Sequence, residues 1–323
     1  VANQFTIYKS SDASAPSLTG QTGSLITVLD AVLVNGYGSK AAAGWAKTYS
    51  GTSKAVYRAA SGARLYYRIQ DDGPGLGSFR EARLTGYVAM TDVDTGTNPF
   101  PTAALAAPLG LGGAFMPIRK SASLDATARS WIIVADARTV YMFFLSGDTA
   151  GTYKASTFGE FYSFIRDDAY NGLVCGRLAE NNSAANQERL DYLDNALSTT
   201  NACFFFPRGH TGFGSAVQGG KMGNTGFGDT NVTLIGNVPF PNPSDGGIYV
   251  APVHIIDPIT TPLKGVRGRF RGFWHFCHAA ASVTDQDTFT GVGDTFGKTF
   301  LFIRDTGNSG VFTIETSATL ETN

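Results

Sequence analysis

Apolar residues recur along this chain in two rhythms. Leu25, Ile26, Leu29, Val32 and Leu33 return every three or four positions, the spacing of one helix face, and predict a helix over Ser24–Asn35. Thr22 or Ser24 offers its N-terminal cap and Gly36 a left-handed stop. Leu190, Leu193 and Leu197 predict a second amphipathic helix over Ala184–Ser198, with Ser183 as its cap. Elsewhere the rhythm is that of strands: Ala55–Arg58, Arg64–Gln70, Arg83–Met90, Trp131–Ala135, Thr139–Leu145, Asn171–Arg177, Cys203–Phe206, Ile248–Ile256, Gly268–Phe276, Thr299–Arg304 and Val311–Thr316.

Turn chemistry joins several of these. Ser61-Gly62 reads as a hairpin turn, and Asp136-Ala137-Arg138 links the two strands of the clearest hairpin in the chain. Runs such as Trp131–Val134 and Tyr141–Leu145 are apolar at nearly every position, which predicts burial on both faces, inside a sandwich or under a neighbouring subunit. The segments Asp71–Gly77, Gly96–Gly113, Gly209–Gly228 and Val238–Gly247 are rich in Gly, Pro and Asn and read as long loops, of the kind that carry function. Asn98-Pro99-Phe100-Pro101 and Val238-Pro239-Phe240-Pro241 nearly repeat, too briefly to establish a duplication. The expected fold is mainly β (α+β): antiparallel sheets or a sandwich, two amphipathic helices and long Gly/Pro-rich loops. The Gly110–Gly113 stretch divides it into an N-terminal lobe, 1–113, and a larger β-rich lobe, 114–323, or else the chain is one domain.

Composition sharpens this picture. Of 323 residues 43% are hydrophobic, enough for a sizeable core, while only 16% are charged, against roughly 25% in an average soluble domain. Arg outnumbers Lys 16 to 9, the bias of interfaces, which favour Arg and aromatics over Lys. A formal net charge of −1 gives no whole-molecule attraction to nucleic acid. Val1–Ser10 lacks the basic start and apolar centre of a secretory signal, a leading Val fits removal of an initiator Met from a cytoplasmically made chain, and no run is long enough to span a bilayer. Cys175, Cys203 and Cys277 are odd in number, far apart and set in apolar runs, so buried free thiols are expected rather than disulfides or a zinc site.

Catalytic and ligand motifs fail on inspection. Gly297-Lys298-Thr299 resembles the end of a phosphate-binding loop, but Val292 stands where the first glycine belongs and a strand follows where a helix is required. Asp94-Thr95-Gly96 and Asp305-Thr306-Gly307 resemble in outline the paired triplets of aspartic proteases, in which two carboxylates share a proton. Their flanks, Asp92-Val93 and Ile303-Arg304, are wrong, and Asp-Thr-Gly is ordinary turn chemistry. His275 and His278 flank Cys277, but residues three apart on a strand face opposite ways, and His210 and His254 stand alone; structural histidines are the simpler reading. Asp92, Asp94 and Asn98, and Asp285 with Asp287, lack the closing acid of a calcium loop. No cofactor, metal or catalytic residue is expected.

One charge feature stands out. In Lys264–Trp274 the residues Arg267, Arg269 and Arg271 alternate as if on one strand face, with Phe270 opposite. Arginines among aromatics can bind nucleic acid, although on a neutral protein an interface or exposed strand is the plainer reading. Arg267, Arg269, Arg271, Trp274, Phe240 and Tyr37 are therefore the candidate contact residues.

Several phrases together resemble a family of virion proteins of tailed bacteriophages: Leu18-Thr-Gly-Gln-Thr-Gly23 leading to Leu33–Lys40, Gly44-Trp-Ala-Lys47 through Lys54–Arg58, Arg80-Glu-Ala-Arg83, Asp92–Gly96, Pro99-Phe-Pro101, Pro239–Pro243, Gly265-Val-Arg-Gly-Arg269, Gly272-Phe-Trp-His275, Glu315-Thr-Ser317 and Glu321-Thr-Asn323. The likeness spans nearly the whole chain. It implies a particle component made in the host cytoplasm and located in the virion, not an enzyme, which assembles with itself and with portal, adaptor, tail or major capsid proteins. A neck or tail ring is slightly favoured, because the Arg267–Arg271 strand would suit a channel with incidental contact to packaged DNA. Capsid decoration is the alternative. A receptor- or glycan-binding tip is a third reading, in which Tyr37, Trp45 and Trp274 would be exposed to stack on sugars.

Overall fold

The computed structural model describes residues 4–72, 80–109, 111–148, 150–176, 204–209, 216–222, 239–257, 265–305 and 310–317. The fold is mainly β, with two small α-helices among the described residues, α1 (Ser24–Leu29) and α2 (Ala103–Ala106). The predicted helix at 184–198 lies outside the described residues, as do Cys203 and His210. No helix among the described residues is long and apolar enough to cross a membrane.

The strands form two antiparallel sheets that are not closed into barrels. The smaller has the order β2 (Ala46–Gly51), β3 (Lys54–Arg58), β4 (Tyr66–Gln70), β5 (Arg80–Met90), β6 (Gly96–Phe100), with β7 (Met116–Ser121) beside β6 on the long β5. The larger begins β1 (Thr6–Lys9), β8 (Ser130–Ala135), β9 (Thr139–Leu145), β10 (Lys154–Glu160) and β12 (Gly172–Cys175). It continues through β13 (Phe204–Phe206), β14 (Val217–Met222), β15 (Val250–Asp257), β16 (Gly265–Phe276), β19 (Gly310–Glu315), β18 (Thr299–Asp305) and β17 (Thr288–Thr290). A two-residue strand, β11 (Tyr162–Ser163), follows β10 almost directly and pairs with β16, bending the large sheet back toward its own beginning.

This bend explains the doubly apolar runs. Alternation along a strand sends Trp131, Ile133, Ala135, Val140, Met142, Phe144 and Phe205 to a core shared with α1 and the inner face of the small sheet. It sends Ile132, Val134, Tyr141, Phe143, Phe204 and Phe206 to a second core under β15, β16, β18 and β19. The central strands are thus covered on both faces by the chain itself. A third, smaller cluster gathers Ile248, Phe276, Val283, Phe300, Phe302 and Val311 at the far end. Among the described residues pairing crosses the 113/114 line between β1 and β8, between β5 and β7, and at the Leu18–Arg129 bridge.

Local outcomes refine the sequence reading. The hairpin at 131–145 forms, its turn closed by Asp136 Oδ1 accepting from the Arg138 and Thr139 N–H groups at 2.9 and 2.8 Å. The first helix starts at Ser24 and ends before Gly36 as expected, but its second half is a π-helix (Asp30–Asn35). Neither Thr22 nor Ser24 caps it. The N-cap is Gly23 at φ 80°, and the orphan Leu25 N–H donates instead to Asp71 Oδ2 at 2.8 Å. Lys120, buried, pairs with Asp71 and also donates to Gln21 O and Ser24 Oγ. The predicted loop 96–113 contains β6 and α2: Pro99 is tolerated because β6 is an edge strand, and Thr102 caps α2 by accepting from Leu105 N–H.

Candidate interaction surface

The geometry of β16 decides what the arginines can do. Its ladder with β15 is broken twice. His254 pairs with Arg269 and Ile255 with Gly268, but Ile256 pairs with Val266, which leaves Arg267 as the extra residue of a β-bulge. Further along, Pro252 pairs with Trp274, so Phe270–Phe273 bulge out of register, with Gly272 at φ 59°. Each bulge re-aims a side chain. The expectation that Arg267, Arg269 and Arg271 share one exposed face is therefore corrected: Arg267 and Arg271 are buried, and only Arg269 faces outward, half-buried.

Both buried arginines hold the fold. Arg267 donates to Asp168 Oδ2 at 3.0 Å and to the Arg208 and Tyr170 carbonyls, lies 3.7 Å from Asp257, and packs over the Phe161 and Phe206 rings. Asp168 also accepts from Ser163 Oγ, so the ion pair pins the β11 turn against β16. Gly268 lets β11 approach: a Cβ there would stand 2.1 Å from Tyr162 O. Arg271 grips Asp136 through two nitrogens, at 3.1 and 2.7 Å, and donates to Thr139 Oγ1 at 2.8 Å. Its carbonyl accepts the Tyr141 hydroxyl, whose pKa burial drives far up.

Above these anchors lies an outward-facing patch on β11, β15 and β16. Phe164, 51% exposed, donates its N–H to Arg267 O and sets its ring 6.0 Å from Tyr162 and 6.1 Å from His254. Arg269 lies over the Tyr162 ring at 5.2 Å. Val266, 45% exposed, stands opposite the half-buried Ile256. Partial burial, with the Arg269 charge beside it, lowers the His254 pKa and favours the neutral ring. The patch is thus apolar and aromatic, with Arg269 as its cation. Sequence reasoning missed Tyr162, Phe164, His254, Ile256 and Val266; the half-buried Val250, Pro252, His254 and Ile256 alternate along β15 with the buried Ala251, Val253, Ile255 and Asp257, but both sets are largely apolar.

The remaining candidates lie elsewhere. Tyr37 donates to Asp12 and packs by Tyr8 and Trp131 at the edge of the first core. Phe240 and Trp274 both belong to the third cluster. Phe240 meets Phe276 at a tilt and His278 and Phe289 edge-on, whereas the Trp274 indole donates to Glu315 and lies under Lys298. Trp45, expected at the surface for the sugar-binding reading, is buried, and its indole donates to Asp136 O at 2.7 Å. His278 accepts from Tyr249 N–H at Nε2, leaving Nδ1 to donate to Pro239 O, a structural histidine as expected. Asp94 lies in the β5–β6 turn and pairs with Lys54 and Arg68, and Asp285 accepts from Tyr153, Gln286 and Arg304. Among the described residues no group of three or more His, Cys, Asp or Glu is placed to hold a metal. Cys175 and Cys277 are buried free thiols.

Compared with known proteins, the chain matches no family model and no curated sequence.

Proposed function

We propose that this chain is a structural subunit of a tailed-phage particle, a layered antiparallel sandwich that assembles with copies of itself and with neighbouring virion proteins through strand and loop contacts. The observation that carries this reading is the exterior. The chain has only 25 basic and 26 acidic residues. Among the described residues many of these are buried: Asp71, Glu81, Arg119, Lys120, Asp136, Lys154, Glu160, Asp257, Arg267, Arg271 and Glu315. These charges are withdrawn from the exterior, which also carries the apolar patch around Phe164 and Val266. Such a surface suits a protein whose neighbours cover it. The resemblance of several phrases to tailed-phage virion proteins points the same way.

A neck or tail ring and a capsid decoration site would both use such a face. The channel argument for the ring loses force, because two of its three arginines are buried. The test is copy number: quantitative mass spectrometry of purified particles gives six or twelve copies for a ring and hundreds for decoration. In parallel, sedimentation of the purified chain should show concentration-dependent association that Phe164→Glu with Val266→Glu abolishes. A monomer at all concentrations that is also absent from particles refutes the proposal.

A further inference from the structure

The outer face of the small sheet carries an arrangement the sequence motif led one to seek on β16. Its inner face (Ala55, Tyr57, Tyr67, Ile69, Leu84) belongs to the first core. The opposite face gathers Val56, Tyr87 and Met90 with the half-buried Tyr49 and Tyr66. Register places Arg58, Tyr66, Tyr87 and Pro99 in one row across β3 to β6, and Tyr49, Val56 and Arg68 in the next. Arg58 lies over Tyr66 at 4.5 Å, Arg68 over Tyr87 at 5.7 Å, and Arg83 over Phe115 at 4.6 Å. Tyr49 and Tyr66 are stacked, 25° from parallel. Lys54 adds a fourth cation on β3, and Arg64, in the β3–β4 turn, is exposed. Against these stands Asp94, which pairs with Lys54 and Arg68, while Asp72 accepts from Gln70.

We infer that this face binds a single-stranded nucleic acid. A guanidinium held over a ring is pre-organised to stack with a base and to meet phosphate through N–H groups not already engaged, although Arg58 Nε donates to Arg64 O and Arg68 pairs with Asp94. Three arginines so placed, two of them beside a tyrosine stack, offer both interactions that sequence-tolerant strand binding uses. An acidic polypeptide would use the charge alone and leave the ring planes without a role. Near-zero net charge means that attraction is local to this face, so binding should be of short range and sensitive to salt. This inference does not depend on the assembly reading or on the Phe164 patch.

The experiment is fluorescence anisotropy of the full chain with labelled oligothymidylate, the matching duplex and a labelled poly-glutamate peptide, across a salt series. The single strand is expected to bind most tightly. Arg58→Gln with Arg83→Gln should weaken binding and lower the slope of log affinity against log salt by about 1 for each arginine removed. Arg269→Gln, on the other sheet, should leave both unchanged. Tyr49→Ala, which removes a ring without removing charge, should weaken binding several-fold at unchanged slope. Absence of single-strand binding at low salt, equal or tighter binding of poly-glutamate or duplex, or a double variant that binds as the parent does would each overturn the inference. Circular dichroism of every variant distinguishes a lost site from a lost fold.

Discussion

Replacing Arg271 by Met tests whether the buried charges hold the layers together. The guanidinium makes two bonds to Asp136 and one to Thr139 Oγ1. Asp136 sits in the β8–β9 turn, while its own carbonyl accepts from Trp45. The pair therefore joins β16 to the central hairpin at the point where the first core begins. Met fills much of the volume but leaves the Asp136 carboxylate buried with only the Arg138 and Thr139 N–H groups as partners. Breaking a buried pair in this way costs about 3–5 kcal/mol. Removing Arg166, whose contact to Asp167 is almost fully exposed, should shift stability by no more than about 0.5 kcal/mol. Urea denaturation of the parent, Arg166→Met, Arg271→Met, Asp136→Asn and the double variant Asp136→Asn/Arg271→Met supplies the comparison. Because a neutral amide at position 136 no longer needs a cation, the double variant should be more stable than the two single losses sum to. A cost for Arg271→Met close to that of Arg166→Met, or strict additivity in the cycle, would refute the reasoning.

Gly159→Ala should destabilise by about 2–4 kcal/mol, combining left-handed strain with overpacking: its φ is 120° and a Cβ would stand 2.3 Å from Arg138 O. Gly246→Ala, at φ 72° with nothing within 4 Å, should cost only about 1–2 kcal/mol by the same denaturation assay. Two carboxylates give opposite pH signatures. Burial raises the Glu160 pKa despite Arg138, so its contribution is most favourable below its unfolded value of 4.5 and is lost as pH rises through the folded value; Glu160→Gln should flatten that loss in melting temperature against pH. For Asp148 burial is outweighed by Ser146, Lys154 and Arg119, so its stabilisation holds above 3.8 and disappears as pH falls through the lowered value; Asp148→Asn should remove that acid-side decline. Cys175 and Cys277 should resist a thiol reagent until unfolding, measured on a Cys203→Ser background.

The parts of the fold legible in the sequence are those governed by near neighbours. The 131–145 hairpin declares itself because both of its faces meet apolar cores and its Asp-Ala-Arg turn is closed locally. The first helix has the right period and stop, but its cap comes from Asp71, which lies 46 positions away. β10 is wholly buried and yet reads Lys-Ala-Ser-Thr-Phe-Gly-Glu. Its Thr157 hydroxyl donates to Val140 O, its Lys154 approaches Asp148, and its Glu160 accepts from Ala63 N–H. β7 likewise hides Arg119 and Lys120 among carboxylates of other segments. Polar residues whose partners lie far along the chain look like surface in a local window. The arginine strand failed for a related reason: strict alternation holds only in an unbroken ladder, and the β16 bulges depend on how β15 lies against it.

The same burial changes what low charge means. A sparse set of charges spread evenly would leave a weakly polar but uniform exterior. Here many of the charges sit at joints between layers: Asp71–Lys120 at the start of α1, Asp136–Arg271 at the central hairpin, and Asp168–Arg267 at the β11 turn. The exterior is correspondingly uneven. On the large sheet, Phe164 and Val266 protrude beside Arg269; on the outer face of the small sheet, cations and tyrosines predominate. With a net charge of −1, long-range repulsion between copies is weak. Under the proposed assembly, contacts between copies would then be decided at short range, by the fit of the apolar patch or of the cationic, ring-lined face. The two surfaces lie on different sheets, so substitutions on one should leave binding at the other intact.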